Sequence, residues 1–267
     1  MLSAVIPALA MACFIHSGEL DLVVGERALP WLPPDLARQV VRRRQDWTRG
    51  ATQAAAWPAH THQPGAADGL EATLIAQCER LAEAVREHQS FDEVVAGLGA
   101  LAHLALDLAS PFAADRVATP HSQAFAAYLA AAAPRIPIVY YAPGLAAQPA
   151  TPAELLPYLA GRQHTATMLA SLVREDLDRV GGPTSWRRLD DRSTSFGAAS
   201  LTLNHAASIY SFLAAWVWRR AGGLVPEIAT VPAPTLLWKG EPKPRETPRP
   251  RLGFRQAPPR VPRPLTR

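Results

Sequence analysis

Cysteine is almost absent. The 267 residues hold Cys13 and Cys78 alone, too few for a disulfide framework or a cysteine-rich zinc site. Ile, Thr, Tyr and Phe are sparse while Ala and Leu dominate, a balance that disfavours sheet and favours helix. Acid is scarce at one end: Lys239 to Arg267 holds nine basic residues, two acids and eight prolines. That stretch carries +7 and the remaining 238 residues −3, so the overall +4 is not spread evenly. The slightly acidic body excludes a uniformly basic nucleic-acid-binding domain, and no nucleic-acid partner is expected. The basic stretch has too little apolar material for a core of its own and is expected to be disordered. What remains is 48% apolar over the whole chain and long enough for one domain with a full core.

Three regions follow. Residues 1–15 carry no charge and read either as a short secretory h-region or as a buried N-terminal segment. The first reading implies a secreted or periplasmic protein, the second a cytoplasmic one. Residues 16–224 are the domain, and 225–267 the Pro-rich basic tail, whose charge suits an anionic phospholipid surface. Within the domain, Pro33-Pro34-Asp35 opens a helix through Arg44. Residues 48–67, rich in Gly, Pro, Thr and Gln, read as a loop containing His60 and His62. Asp68 with Glu71 forms a capping-box pattern for a helix to about His88, and Ser90 with Glu93 another for a helix to about Leu108.

Further helices are expected from Pro120 to Pro134, briefly from Pro152, from Thr165 to Gly181-Gly182, and from Thr194 to Arg220. Ser193 to Trp218 is a run of 26 uncharged residues. Asn204, His205 and its several Ser and Thr residues favour a buried central helix over a membrane span. Ile136 to Tyr141 is the only β-like run, so the expected fold is an all-α multi-helix bundle.

The chemistry concentrates in VVAGLGALAHLALDL, Val94 to Leu108, which is apolar except for His103 and Asp107. Four residues apart, the two share one side of a helix. A helix this apolar is buried, and a carboxylate inside it needs a hydrogen-bonding partner or a metal. His and Asp at this spacing can ligate zinc, or can form a structural hydrogen bond. His60 and His62 upstream and His121 downstream are available to complete a three-ligand site with a position for water. His164 and His205 lack a carboxylate partner and read as structural or surface residues.

LGALAHLALDLASPF resembles the central motif of the bacterial zinc-dependent phospholipases C, whose helix reads approximately LG…LHYLGD…QPMH; the single-strand nucleases share that fold. DLVVGERAL (Asp21 to Leu29) resembles their first helix, HTHQP (His60 to Pro64) their HFYDP and HSQAF (His121 to Phe125) their HSKYE. LNHAASIYSFLAAWVW resembles their closing helix, so the likeness spans most of residues 20–222. The resemblance implies a phosphodiesterase in which His60, His103 and Asp107 ligate one zinc ion and His121 belongs to a second site. It also implies a reduced metal set. Asp21 stands where the family has a histidine, and could ligate through oxygen. Ala55 falls on the bridging aspartate that helps hold the attacking water, Ala113 on a ligand histidine and Phe125 on a ligand glutamate. The expectation is therefore one zinc ion rather than three in a divergent phospholipase C-like hydrolase, or a pseudoenzyme that kept the fold.

Overall fold

A helix of Ala and Leu with almost no polar atoms can only be stable when surrounded, and here it is. Helix α5 (Phe91–Ala109) is buried at every residue from Val94 to Ala109 except the partly covered Gly97. The computed structural model describes residues 18–115, 118–141 and 149–225. The uncharged N-terminal segment and the basic Pro-rich stretch from 226 onward lie outside the described residues.

Around α5 stand α1 (Gly18–Ala28), α2 (Pro34–Arg42), α3 (Arg44–Ala55), α4 (Leu70–Arg86), α6 (Pro120–Ala132), α7 (Pro152–Thr167), α8 (Leu169–Arg179) and α9 (Thr194–Arg220). Among the described residues there is no strand, and the fold is an all-α multi-helix bundle. The α5 helix packs most extensively on α3, then on α9 and α4, and also meets α1 and α7. Its N-cap is Ser90, whose side chain accepts from the Asp92 amide; Ser193 caps α9 in the same way through the Phe196 amide.

The sequence between 48 and 55 reads as loop, yet it is the second half of α3. Its glycine has a packing reason. A Cβ on Gly50 would lie 1.7 Å from the Ala96 carbonyl oxygen, and one on Gly99 would lie 1.9 Å from that of Trp47. The two backbones therefore approach nearly to contact, and Trp47, Gly50, Ala51 and Ala54 form the buried face. Tertiary packing outweighs the weak intrinsic helix preference of Gly and Thr. The Trp47 indole donates to the Tyr210 hydroxyl at 3.0 Å, tying α3 to α9.

Other expectations shift in detail. The α4 helix starts at Leu70 with no side-chain cap. Asp68 faces His60 instead, and Glu71 accepts from the Gly65 amide at 3.1 Å. The helix from Pro152 is not brief but 16 residues long. Segment 136–141 is not a strand, although α9 side chains treat it as one. Val139 donates to Asn204 Oδ1 at 3.0 Å, Asn204 donates back to the Pro137 carbonyl at 2.9 Å, and Tyr141 donates to Ser208 Oγ at 2.9 Å. This explains Asn204 and Ser208 inside the uncharged α9: they satisfy a backbone that no strand among the described residues satisfies. No helix among the described residues is long and apolar enough to cross a membrane.

His205 is buried in α9, edge-on to Tyr141 at 5.0 Å. Burial first, and the Arg162 cation second, lower its pKa to about 4.

Two outcomes are expected. Gly50→Ala or Gly99→Ala should lower stability by roughly 3 kcal/mol, the upper end for overpacking. Gly161→Ala, in an exposed stretch of α7 with nothing near its Cβ position, should be neutral or stabilising by about 0.5–1 kcal/mol. Equal urea midpoints for the three would contradict the close approach of α3 and α5. Separately, the folded pKa of His205 lies below its unfolded value of 6.5. Its contribution is therefore present above pH 6.5 and lost as pH falls through 4, by on the order of 3 kcal/mol. His205→Gln should flatten the urea-midpoint profile in that window; an unchanged slope would contradict the assignment.

Candidate metal centre

The i, i+4 spacing on α5 places His103 Nε2 3.4 Å from Asp107 Oδ2. Both side chains are buried, at 2% and 4% exposure. A third residue comes from the short 3-10 turn Ala59–His62, which leads out of α3 and back towards α4. It is His62, whose Nδ1 lies 2.6 Å from the same Asp107 oxygen and whose side chain is 9% exposed. The two imidazoles meet edge to face at 5.4 Å. One donor atom each from His62, His103 and Asp107 can be chosen so that all lie within 4.8 Å of one another, a group able to hold a metal ion.

The turn that delivers His62 is held at several points. The Gln63 amide donates to the His60 carbonyl at 3.1 Å, and the Gln63 carbonyl accepts from the Leu70 amide at 2.9 Å. Trp57, at the start of the turn, packs beneath the Arg80 guanidinium, 5.9 Å from ring centroid to charge.

The fourth member is Asp21 on α1. Both its oxygens lie 3.2 Å from His103 Nδ1, and it is 2% exposed. His103 thus has a carboxylate against each ring nitrogen. Burial works to lower its pKa, but Asp107 and Asp21 together outweigh that effect and raise it to about 9. The imidazolium is how the chain alone balances two carboxylates in an apolar interior.

The fit of a divalent metal rests on two observations. The donor set is two imidazole nitrogens and one carboxylate oxygen, the set that zinc-type ions take. In addition, His62 Nδ1 and His103 Nε2 lie against the same oxygen of Asp107, at 2.6 and 3.4 Å, so the three donors face one another.

The sequence-derived candidates divide accordingly. His103 and Asp107 stand together. His60 does not join them: it is half-exposed and faces Asp68, 3.8 Å away. A 3-10 turn advances about 120° per residue, so His60 and His62 point a third of a turn apart and only one can face α5. The family resemblance put His60 in the ligand set; the histidine that stands with His103 and Asp107 is His62. His121, in the first turn of α6, pairs with Asp178 of α8 at 2.9 Å and is not in the group. Ala113 and Phe125 are buried, and Phe125 packs on Phe112 at 5.8 Å between ring centroids. Ala55 ends α3.

No protein-family model and no curated protein matches the chain.

The geometry gives a direct test by titration with zinc against a competing chelator. His62→Ala should weaken binding by more than about 100-fold, beyond the 10–100-fold typical of losing a group outside the ligand set, whereas His60→Ala should leave it unchanged. The reverse order would contradict the assignment of His62.

Proposed function

We propose that this chain is a divergent phosphodiesterase of the zinc-dependent phospholipase C kind, working with a single metal ion on His62, His103 and Asp107. The observation that carries the reading is the convergence of these three donors, with His103 and Asp107 buried and His62 partly covered. The resemblance of LGALAHLALDLASPF to the phospholipase C motif supports the reaction class. A zinc ion bound there would supply a Lewis acid for a phosphoryl oxygen and a bound water of pKa near 7.

The chain's own residues do the rest. Asp107 bridges the two imidazoles and keeps both rings aimed at one point. Asp21 holds His103 from behind. The closed packing of α1, α5 and the 59–62 turn keeps bulk water away from the donors, which strengthens electrostatic interactions there. Ala55, at the place of the family's water-holding aspartate, cannot move a proton. The basic stretch 239–267 suits a phospholipid substrate, because each Lys or Arg near an anionic surface contributes on the order of 1 kcal/mol of attraction.

A second reading, a catalytically inactive phospholipase C-like module that binds lipid or protein, is favoured by a specific observation. Where the family has further ligands, this chain has Ala55, Ala113 and Phe125, and the last two are buried in apolar packing.

One assay separates the two. Zinc-loaded protein should hydrolyse a chromogenic phosphocholine ester, lose the activity in chelator and regain it with zinc. His103→Ala should reduce turnover to background, and on anionic vesicles deletion of 239–267 should lower the bound fraction. Bound zinc without turnover would favour the inactive module, and a chain that takes up no zinc would sink the single-metal reading altogether.

A further inference from the structure

We propose that Asp21 is a positioning residue of this centre, an outer carboxylate that holds His103 by its Nδ1–H and leaves Nε2 as the metal-binding atom. The inference rests on the single-metal reading above and deepens it. The family resemblance alone suggested something different, namely Asp21 as a direct ligand in place of a histidine.

Three observations carry it. First, both Asp21 oxygens are 3.2 Å from His103 Nδ1, which places the carboxylate symmetrically on one edge of the ring. Second, His103 Nε2, on the opposite side of the ring, is the atom near Asp107, at 3.4 Å. A group bound to Nδ1 and a metal bound to Nε2 are separated by the ring itself, so Asp21 cannot also reach the metal while it keeps this contact. Third, Asp21 is 2% exposed on the buried side of α1, so it is held by packing and does not sample solvent. A carboxylate on the remote nitrogen of a metal-binding histidine fixes the tautomer, sets the ring plane and raises the basicity of the ligating nitrogen. Where the family has a ligand histidine, Asp21 therefore supports a ligand and is not one itself.

The test uses the full chain, with zinc and cobalt(II) as probes. Asp21→Ala should weaken zinc binding by about 10–100-fold, and Asp21→Asn, which keeps an acceptor but not the charge, by about 10-fold. The visible spectrum of the cobalt form should stay that of the parent, because the ligand set is intact. The zinc form of the parent should show a downfield exchangeable proton from His103 Nδ1–H that is absent in Asp21→Ala. Should Asp21→Ala fail to fold, the isosteric Asp21→Asn carries the comparison. A changed cobalt spectrum would mean that Asp21 is itself a ligand, and unchanged zinc affinity in a folded variant would mean that it acts only in packing; either overturns the proposal while leaving the centre standing. Absence of zinc binding by the parent chain would overturn the centre and this assignment with it.

Discussion

Two carboxylates sit inside the apolar interior, on helices that face each other, with one imidazole between them. Asp21 and Asp107 are 2% and 4% exposed, and neither can be buried without compensation. Truncating one partner of such a buried pair costs about 3–5 kcal/mol, so the arrangement constrains everything near it. The α1 helix must lie against α5 to bring Asp21 to His103. The 59–62 turn must fold back over α5 to bring His62 to Asp107. The core could be satisfied more simply with apolar residues at all four places; instead the chain gathers three donors able to hold a metal ion, with Asp21 against the far nitrogen of one of them.

The precision of the cluster depends on packing that carries no chemistry. Gly50 and Gly99 let α3 and α5 approach to backbone contact, which fixes where α3 ends and the turn bearing His62 begins. Trp47 reaches across to Tyr210, and Gly25 leaves room for its ring, since a Cβ there would lie 2.6 Å from it. Thus α1, α3 and α9 meet at one indole, the Trp47 backbone lies against α5, and α1 and α5 carry three of the four members of the cluster. A site held to within tenths of an ångström needs such a rigid surround.

Much of this was legible in the sequence. The apolar run with two polar positions four apart identifies both α5 and its donors, because burial and spacing act on the same residues. The α9 boundaries are legible from the Ser193 cap and the charged Arg219-Arg220 end. The second half of α3 was not, since Gly50, Thr52 and Gln53 resemble a loop until the opposing α5 backbone is known. Nor was the choice between His60 and His62, which depends on the phase of one short turn. Asp21 was legible as a departure from a pattern, but its role depends on which side of the His103 ring it meets, a matter of tertiary geometry. His121 had a plausible motif and a nearer partner, Asp178, 57 residues further along, which no local pattern announces.

The most direct test is anomalous diffraction at the zinc absorption edge from crystals grown with the metal. The account predicts one peak per chain, at about 2.0–2.2 Å from a nitrogen of His62, a nitrogen of His103 and an oxygen of Asp107, with Asp21 on the far side of the His103 ring. No peak among these residues, or a peak on His60 or His121 instead, would contradict it.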